Sequence, residues 1–246
     1  MKVGLAPNTS ALTLFSGLGR TYQASTTVDD SLGIDRRCFS NLFPCPIALP
    51  ARLKEVNGVK LVLHDCLLDK ALASTENLFQ AAKCSLEADA RFYFELNGGD
   101  AARYGQGRMY LTTKQKQRLV ELGVDEAEIK QSGKDKFKRT HTGFCPKRDD
   151  WDEVKPLVML VALRIKFKEM QPFREYMDNL IKSGQDVFFV EHTRNDRQWG
   201  DGSDGSGKNM LGKLITQVFL ELREGREFDL DLDYLNRPNS EFVDYN

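Results

Sequence analysis

Apolar residues recur at helical intervals in three stretches of the C-terminal half of the chain, 151–165, 173–180 and 211–222. This spacing predicts three helices that each bury one face. Gly184 and Gly225 follow the second and third stretches and are typical helix ends. The continuous apolar run at 187–190 predicts a short buried strand between these two helices.

A glycine-rich loop joins this strand to the last helix, which we expect to begin near Gly207. Its glycines would let the backbone turn the unpaired first amides of the helix toward a phosphate group. They are Gly200, Gly202, Gly205 and Gly207. Asp196, Trp199 and Asn209 flank the loop and add a carboxylate, a flat stacking surface and an amide. Together they suit a ligand with phosphate, a sugar and a base.

Two other interpretations of this loop stay open. It is either a flexible connection before an ordinary core helix or a variant of the phosphate-binding P-loop. Residues 202–208 fit the spacing GxxxxGK, but Asn209 stands where a P-loop has the Ser or Thr that binds magnesium.

Shorter patterns precede the long helices. Residues 12–15 and 59–64 have the composition of strands, and the two prolines of 38–46 predict an ordered loop there. Asn41 in that loop is either a turn residue bonded to the backbone or a ligand contact. His64 has no partner at metal-ligand spacing, so we interpret it as structural and predict no metal site.

Ser74 or Thr75 is expected to cap a further helix. On that helix one face carries Glu76, Gln80 and Lys83, and the opposite face carries Leu78, Ala82 and Leu86. The polar face is either solvated or lines a cleft. In a cleft it would place a carboxylate and an amine about two turns apart on a rigid element.

Length and charge restrict the alternatives. At 246 residues and a net charge of −1, the chain fits one soluble domain and shows no global demand for nucleic acid or an acidic membrane. Five cysteines without a CxxC pair argue against a zinc ribbon or a disulfide framework and favour a reducing cytoplasm. We expect no signal peptide, no membrane span and no cofactor. The acidic tail after 225 is either an edge strand or a loose end.

Residues around 109–150 form a basic insertion. Lysines and one arginine alternate there with aromatic residues, which is compatible with contact to the backbone of DNA or RNA. These basic residues are Lys130, Lys134, Lys136, Lys138 and Arg139. A solvated surface insertion is the alternative meaning of the same pattern.

Taken together and in this order, several segments resemble the NADAR family, also called YbiA-like. Their sequences are FSNLFP at 39–44, SxExxFQAxK at 74–83, GR at 107–108, DxxWGxG at 196–202 and GxNxLG at 207–212. Further matches lie at 151–159, 166–167 and 184–191. Two departures exist: Asn77 replaces the histidine that usually follows the glutamate, and the family lacks an insertion as long as this one.

The resemblance implies a mostly helical, single-domain α+β fold with a small β-sheet, spanning residues 1–246. It also implies an N-glycosidase that removes ADP-ribose from guanine bases in DNA or RNA and so opposes DNA-modifying toxins. Two alternatives are a glycosidase acting on ribosylaminouracil phosphates of riboflavin biosynthesis and a non-catalytic module that binds ADP-ribose or NAD.

An N-ribosidic bond breaks through a cationic sugar, so a carboxylate near C1 is the minimum requirement. We expect Glu76 and Asp196 in this role. Lys83 or Lys166 would form a Schiff base with an opened sugar in a second route. The residues expected to bind the ADP-ribose-bearing substrate are Asn41, Gln80, Arg108, Glu191, Trp199, Gly200, Gly202, Gly207 and Asn209.

Overall fold

The computed structural model describes residues 11–15, 36–49, 55–56, 59–60, 63–68, 70–131, 136–139 and 145–242. The chain divides into two compact units. Unit 1 comprises residues 1–40 and 159–246, and unit 2 comprises residues 41–158.

The described residues form a mostly helical α+β structure. Its strands are β1 (Ala11–Phe15), β2 (Glu55–Val56), β3 (Val59–Lys60), β4 (Leu111–Thr112), β5 (Ile129–Gln131), β6 (Lys136–Arg139) and β7 (Val187–Glu191). Its α-helices are α1 (Thr75–Lys83), α2 (Glu87–Phe92), α3 (Gly98–Gly105), α4 (Thr113–Glu121), α5 (Trp151–Arg164), α6 (Gln171–Lys182), α7 (Met210–Glu224) and α8 (Leu232–Asn236). A π-helical turn, Ile165–Glu169, follows α5.

Strand β7 lies at the centre of unit 1. It pairs in parallel with β1, with Ala11 opposite Val187 and Phe15 opposite Glu191. All five β7 side chains are buried, which explains the continuous apolar run in the sequence. Helix α7 packs against β7 and comes so close at Gly212 that a side chain there would overlap the Phe189 carbonyl.

Aromatic rings fill the core of unit 1 beside this strand. Phe39 contacts the rings of Phe167, Tyr176 and Phe189 at centroid distances of 5.7, 5.2 and 5.0 Å. At this spacing the rings gain both buried area and favourable ring geometry. The loop around Phe39, the π-helical turn, α6 and β7 are therefore joined by one aromatic cluster.

Unit 2 is built around α1, which contacts α2 and α3. Helix α4 adjoins a three-stranded antiparallel sheet in the order β4-β6-β5, which the basic insertion forms. The first residue of α5, Trp151, packs against Phe79 on α1 with 4.7 Å between ring centroids.

The end of the insertion returns to the end of α1. Residues 145–148, the return segment, run antiparallel to α1's last residues through a bridge between Cys84 and Lys147. Arg148 N donates to the Lys83 carbonyl at 3.0 Å, and Cys84 is disulfide-bonded to Cys145. This disulfide differs from the expectation drawn from five cysteines without a CxxC pair, because the spacing of cysteines along the chain does not show which of them meet in space.

Most of the predicted helices are confirmed. Helix α6 ends at the left-handed Gly184, and α7 ends at Gly225 with φ 69°. The predicted strand at 12–15 exists as β1. Within the described part of the chain, no helix is long and apolar enough to cross a membrane.

Two local predictions are wrong, and a third falls partly outside the described residues. The acidic tail is neither an edge strand nor a loose end, because the Asp231 side chain caps helix α8 by accepting from Tyr234 N. The strand predicted at 59–64 begins as β3, and residues 61–62 lie outside the described ones. Leu86 does not share a face of α1, because α1 ends at Lys83 and Leu86 is 41% exposed.

Candidate active site

Helix α1 carries the first group of predicted site residues. Ser74 is its N-cap, and the Ser74 Oγ accepts from Asn77 N. Eight of its nine residues are buried, including Glu76 and Gln80. The polar face of α1 is therefore not a solvated stripe, and its groups need partners inside the protein.

Those partners are other residues of the same face. Gln80 Nε2 donates to Glu76 Oε1 at 2.8 Å, and Lys83 Nζ donates to Gln80 Oε1 at 3.0 Å. Lys83 Nζ also donates to the Gly105 carbonyl at 2.6 Å. We call Glu76, Gln80 and Lys83 the α1 polar chain, because one amide links a carboxylate to an ammonium along one helix face.

Burial changes the acid–base properties of this chain. It lowers the pKa of Lys83, while the nearby Glu76 carboxylate opposes the shift and Lys147 adds to it. A lysine with a lowered pKa is a stronger candidate for amine chemistry than an exposed one.

Asn77 occupies the position after Glu76 and has a structural role. It is fully buried, its Nδ2 donates to the carbonyls of Tyr93 and Leu96 at 2.9 and 2.8 Å, and its Oδ1 accepts from Ser74 Oγ at 2.6 Å. Its carboxamide fixes the start of α1 to the segment before α3, and its Nδ2 already serves two carbonyls.

Two further predicted site residues lie in unit 2. The Asn41 carbonyl accepts from the Glu76 amide at 3.0 Å and from Thr75 Oγ1 at 3.0 Å, so Asn41 meets the first turn of α1. Arg108 is exposed beyond the end of α3, and its amide donates to the Arg103 carbonyl at 2.8 Å. Asn41 therefore contacts the helix that carries Glu76.

The remaining predicted site residues belong to unit 1, where the glycine-rich loop folds onto itself. At the start of α7, Met210 N donates to the Gln198 carbonyl at 3.2 Å and Leu211 N to the Trp199 carbonyl at 3.0 Å. These amides have no partner within the helix, as predicted, but loop carbonyls accept from them, so the expectation that they face a ligand is wrong. Because the loop caps the helix itself, the amides of Met210 and Leu211 do not form a ready phosphate site.

The loop glycines serve this compact folding. Gly202 and Gly205 have φ of 75° and 76°, which side chains rarely adopt. Gly207 instead is needed for space, because a Cβ there would lie 2.6 Å from the Asp201 carbonyl carbon. Gly200 is similar, with the Glu191 carbonyl 2.9 Å from such a Cβ.

Asn209 joins the loop to the central strand. Its Oδ1 accepts from Glu191 N at 2.9 Å and its Nδ2 donates to the Phe189 carbonyl at 3.0 Å. Asn209 is fully buried in a left-handed conformation with φ 50°. The structure thus brings Asn209 and Glu191 together, and the Asn209 carboxamide is used for the backbone of β7.

Asp196 and Trp199 lie together at the loop's first turn. Asp196 Oδ1 accepts from the amides of Gln198 and Trp199 at 2.9 and 2.8 Å. This is an Asx-type turn in which the carboxylate orders the backbone. Trp199 is half-buried at this turn.

A pair that was not predicted, a half-buried histidine beside a buried aspartate, lies in the same loop. His192 Nδ1 lies 2.9 Å from Asp201 Oδ2, and Asp201 Oδ1 accepts from the amides of Ser203 and Thr193 at 2.7 and 3.3 Å. Asp201 is fully buried. The signal for it was a histidine directly after the strand and an aspartate inside the glycine run.

Lys166 lies in the π-helical turn of unit 1 and is fully buried. Its Nζ donates to the Ser40 carbonyl at 3.0 Å and lies 5.2 Å from the centre of the Phe173 ring. Among the residues that the structure describes, no group of three or more His, Cys, Asp or Glu side chains is arranged to hold a metal ion.

The family model of the NADAR domain matches residues 30–223 of this chain. This protein therefore belongs to the NADAR family.

Curated relatives match shorter parts of the chain. N-glycosidase YbiA of Escherichia coli strain K12 is 35% identical over 121 residues, which are 49% of this chain and 66% of that protein. A riboflavin biosynthesis protein of Vibrio vulnificus is 36% identical over 83 residues, which are 34% of this chain and 22% of that protein. The chain thus spans less than two thirds of either relative. The NMR structure of E. coli YbiA covers 89% of this chain and 86% of its own, with 26% identity and a TM-score of 0.49.

We predict that Asn209→Gly lowers the free energy of unfolding by roughly 2 to 4 kcal/mol, because two buried backbone groups of β7 lose their partners. Glycine keeps the left-handed backbone, so the change isolates the carboxamide. Urea unfolding measures the effect.

Ser203→Gly is the matched control, since exposed Ser203 has φ 62° in the same loop. It should be neutral or slightly stabilising. Equal stability of the Asn209→Gly protein and the wild type would contradict the role given to Asn209.

Proposed function

We propose that this protein is an N-glycosidase that hydrolyses an N-ribosidic bond, and that its substrate is ADP-ribose attached to guanine in DNA or RNA. Its role would then be to reverse nucleic-acid ADP-ribosylation, as an antitoxin does. The α1 polar chain carries the proposal, because it places a buried carboxylate and a half-buried amine on one rigid helix of a NADAR-family protein. The E. coli relative's name, N-glycosidase, supports the reaction class.

Glu76 is the carboxylate we assign to the reacting sugar. It is 9% exposed, so its charge is weakly screened and would stabilise the cationic ribosyl group that forms as the bond breaks. Asp196 is the other carboxylate that the sequence predicts for this role. Because Asp196 already orders a turn through Oδ1, the proposal gives the leading catalytic role to Glu76.

We expect Glu76→Gln to lower turnover at least about 100-fold while the protein stays folded, because glutamine keeps the shape but loses the negative charge. Release of ADP-ribose from an oligonucleotide modified on guanine measures this. Glu87→Gln, an exposed change on α2, is the control and should keep wild-type turnover. Normal turnover by folded Glu76→Gln protein would remove Glu76 from the mechanism.

A second route uses an amine. The ribosyl group opens to an aldehyde-level carbon, and a lysine Nζ attacks it and displaces the base nitrogen to give a Schiff base that water then hydrolyses. Lys83 is the favoured lysine, since burial lowers its pKa and so raises the neutral fraction of its amine. Lys166, also buried, is the other candidate.

Borohydride added during turnover should trap a covalent adduct whose mass equals protein plus reduced ribosyl fragment. The adduct should persist in Lys166→Ala and disappear in Lys83→Ala protein. The opposite pattern would assign the chemistry to Lys166, and no adduct in active wild-type protein would exclude the amine route.

Two alternative functions are tested beside this one. The Vibrio vulnificus relative is a riboflavin biosynthesis protein, which favours a ribosylaminouracil phosphate as substrate. The third candidate is a protein that binds ADP-ribose without turnover. Parallel assays on the oligonucleotide and the small phosphate, together with ADP-ribose binding, separate these three functions.

The basic insertion supports the nucleic-acid substrate. Lys130 and Lys138 are exposed and stand directly opposite each other on β5 and β6. Two like charges at such a position repel each other, and a phosphate group near them would relieve this repulsion. Lys136 and Arg139 lie on β6, and Lys134 lies outside the described residues. We propose that this surface contacts a DNA or RNA backbone.

Replacing Lys130 and Lys138 together by glutamine should weaken oligonucleotide binding and reduce the slope of log K against log salt by roughly 2 for a duplex. Fluorescence anisotropy at several salt concentrations measures this slope. Lys182→Gln, an exposed change at the end of α6, should leave it unchanged. An unaltered slope in the double variant would contradict the proposed contact.

A further inference from the structure

The end of helix α3 meets the α1 polar chain at a single residue, Gly105. Gly105 is buried, and α3 packs against α1. A Cβ atom built on Gly105 would lie 2.5 Å from Gln80 Cδ and closer still to Gln80 Oε1. The Gln80 carboxamide therefore occupies the space that any side chain at position 105 would need.

Space, and not backbone conformation, makes glycine necessary here. Among the described residues, Gly105 is not one of the glycines with a positive φ, whereas nearby Gly107 has φ 68°. Alanine at position 105 would thus keep its helical backbone without strain. The substitution would therefore change the protein only by displacing the groups that occupy the space of the new methyl group.

The carbonyl of Gly105 makes a second contact with the chain. It accepts from Lys83 Nζ at 2.6 Å, while Gln80 Oε1 accepts from the same nitrogen at 3.0 Å. Carbonyl groups in the last turn of a helix have no partner within it and carry a partial negative charge that attracts cations. Two acceptors from two helices therefore converge on the Lys83 ammonium.

Two charged groups act on the same ammonium. Glu76, also on α1, favours the charged form, and Lys147 on the return segment disfavours it. The Tyr93 hydroxyl lies 3.0 Å from the Cβ position built on Gly105. Lys83 is thus held by Gln80 and Gly105 while one charge favours its ammonium form and the other opposes it.

From these contacts we infer that Gly105 is a positioning residue for the reaction, because its missing side chain admits Gln80 and its carbonyl holds Lys83. This inference rests on the proposed function, which gives Glu76 and Lys83 their chemical roles. It adds that helix α3, through Gly105, helps to fix the distances between the carboxylate, the amide and the amine of the α1 polar chain. Helix α1 alone does not fix them.

Gly105→Ala tests the inference, with Gly99→Ala as the matched control on the same helix. A Cβ on Gly99 would meet Asn97 Oδ1 at 3.4 Å, an ordinary contact. Two quantities are measured for each protein: kcat and KM, and the pH dependence of Lys83 acylation by an amine-reactive ester, followed by peptide mass spectrometry. The labelling needs no substrate.

Gly105→Ala should lower kcat about tenfold or more with little change in KM, because the reacting groups move while substrate contacts remain. It should also shift the pH midpoint of Lys83 labelling downward by about one unit, since the ammonium loses an acceptor. Gly99→Ala should match the wild type in both. Wild-type kcat and labelling in Gly105→Ala protein would overturn the inference.

A second variant covers the case in which Gly105→Ala does not fold. Combining it with Gln80→Ala removes the overlap, so the double variant should fold and equal Gln80→Ala alone in kcat. A double variant tenfold slower than Gln80→Ala would show that Gly105 does not act through Gln80. If the wild type cleaves neither substrate, the proposed function fails, while the labelling still reports whether Gly105 positions Lys83.

Discussion

The Asn209 carboxamide makes the interaction on which the order of unit 1 depends. It pairs one amide and one carbonyl at the end of β7, in a place too buried for water to do so. From that point the chain enters α7, which crosses β7 in close contact at Gly212. The glycine-rich loop between β7 and α7 folds so that the end of β7 and the start of α7 pack together.

The same requirement governs helix α1 in unit 2. Placing a buried carboxylate, a buried amide and a half-buried ammonium on one helix face is costly unless each finds a partner. The α1 polar chain meets that cost by pairing its members with each other and with the Gly105 carbonyl. A network satisfied in this way is rigid, and rigidity is what the proposed catalytic role of Glu76 and Lys83 requires.

These two arrangements change how the family motifs are understood. The glycine-rich segment resembles a phosphate-binding loop in sequence, yet its carbonyls cap α7 themselves. Its aspartates are used likewise, with Asp196 ordering a turn and buried Asp201 accepting from two amides beside His192. The strongest chemical candidates are therefore on α1, where buried groups face one another instead of the backbone.

The sequence by itself determined the helices of the C-terminal half, the buried strand 187–190, a helix cap at Ser74 or Thr75, and the family. These follow from local periodicity, helix-ending glycines and motif spacing, which act within a few residues. Only the tertiary structure decided whether the face of Glu76, Gln80 and Lys83 was solvated, which cysteines pair, and why Gly105 is a glycine. Each of these depends on a residue at least 20 positions away, since burial and pairing are set by neighbours in space that the order of residues does not reveal.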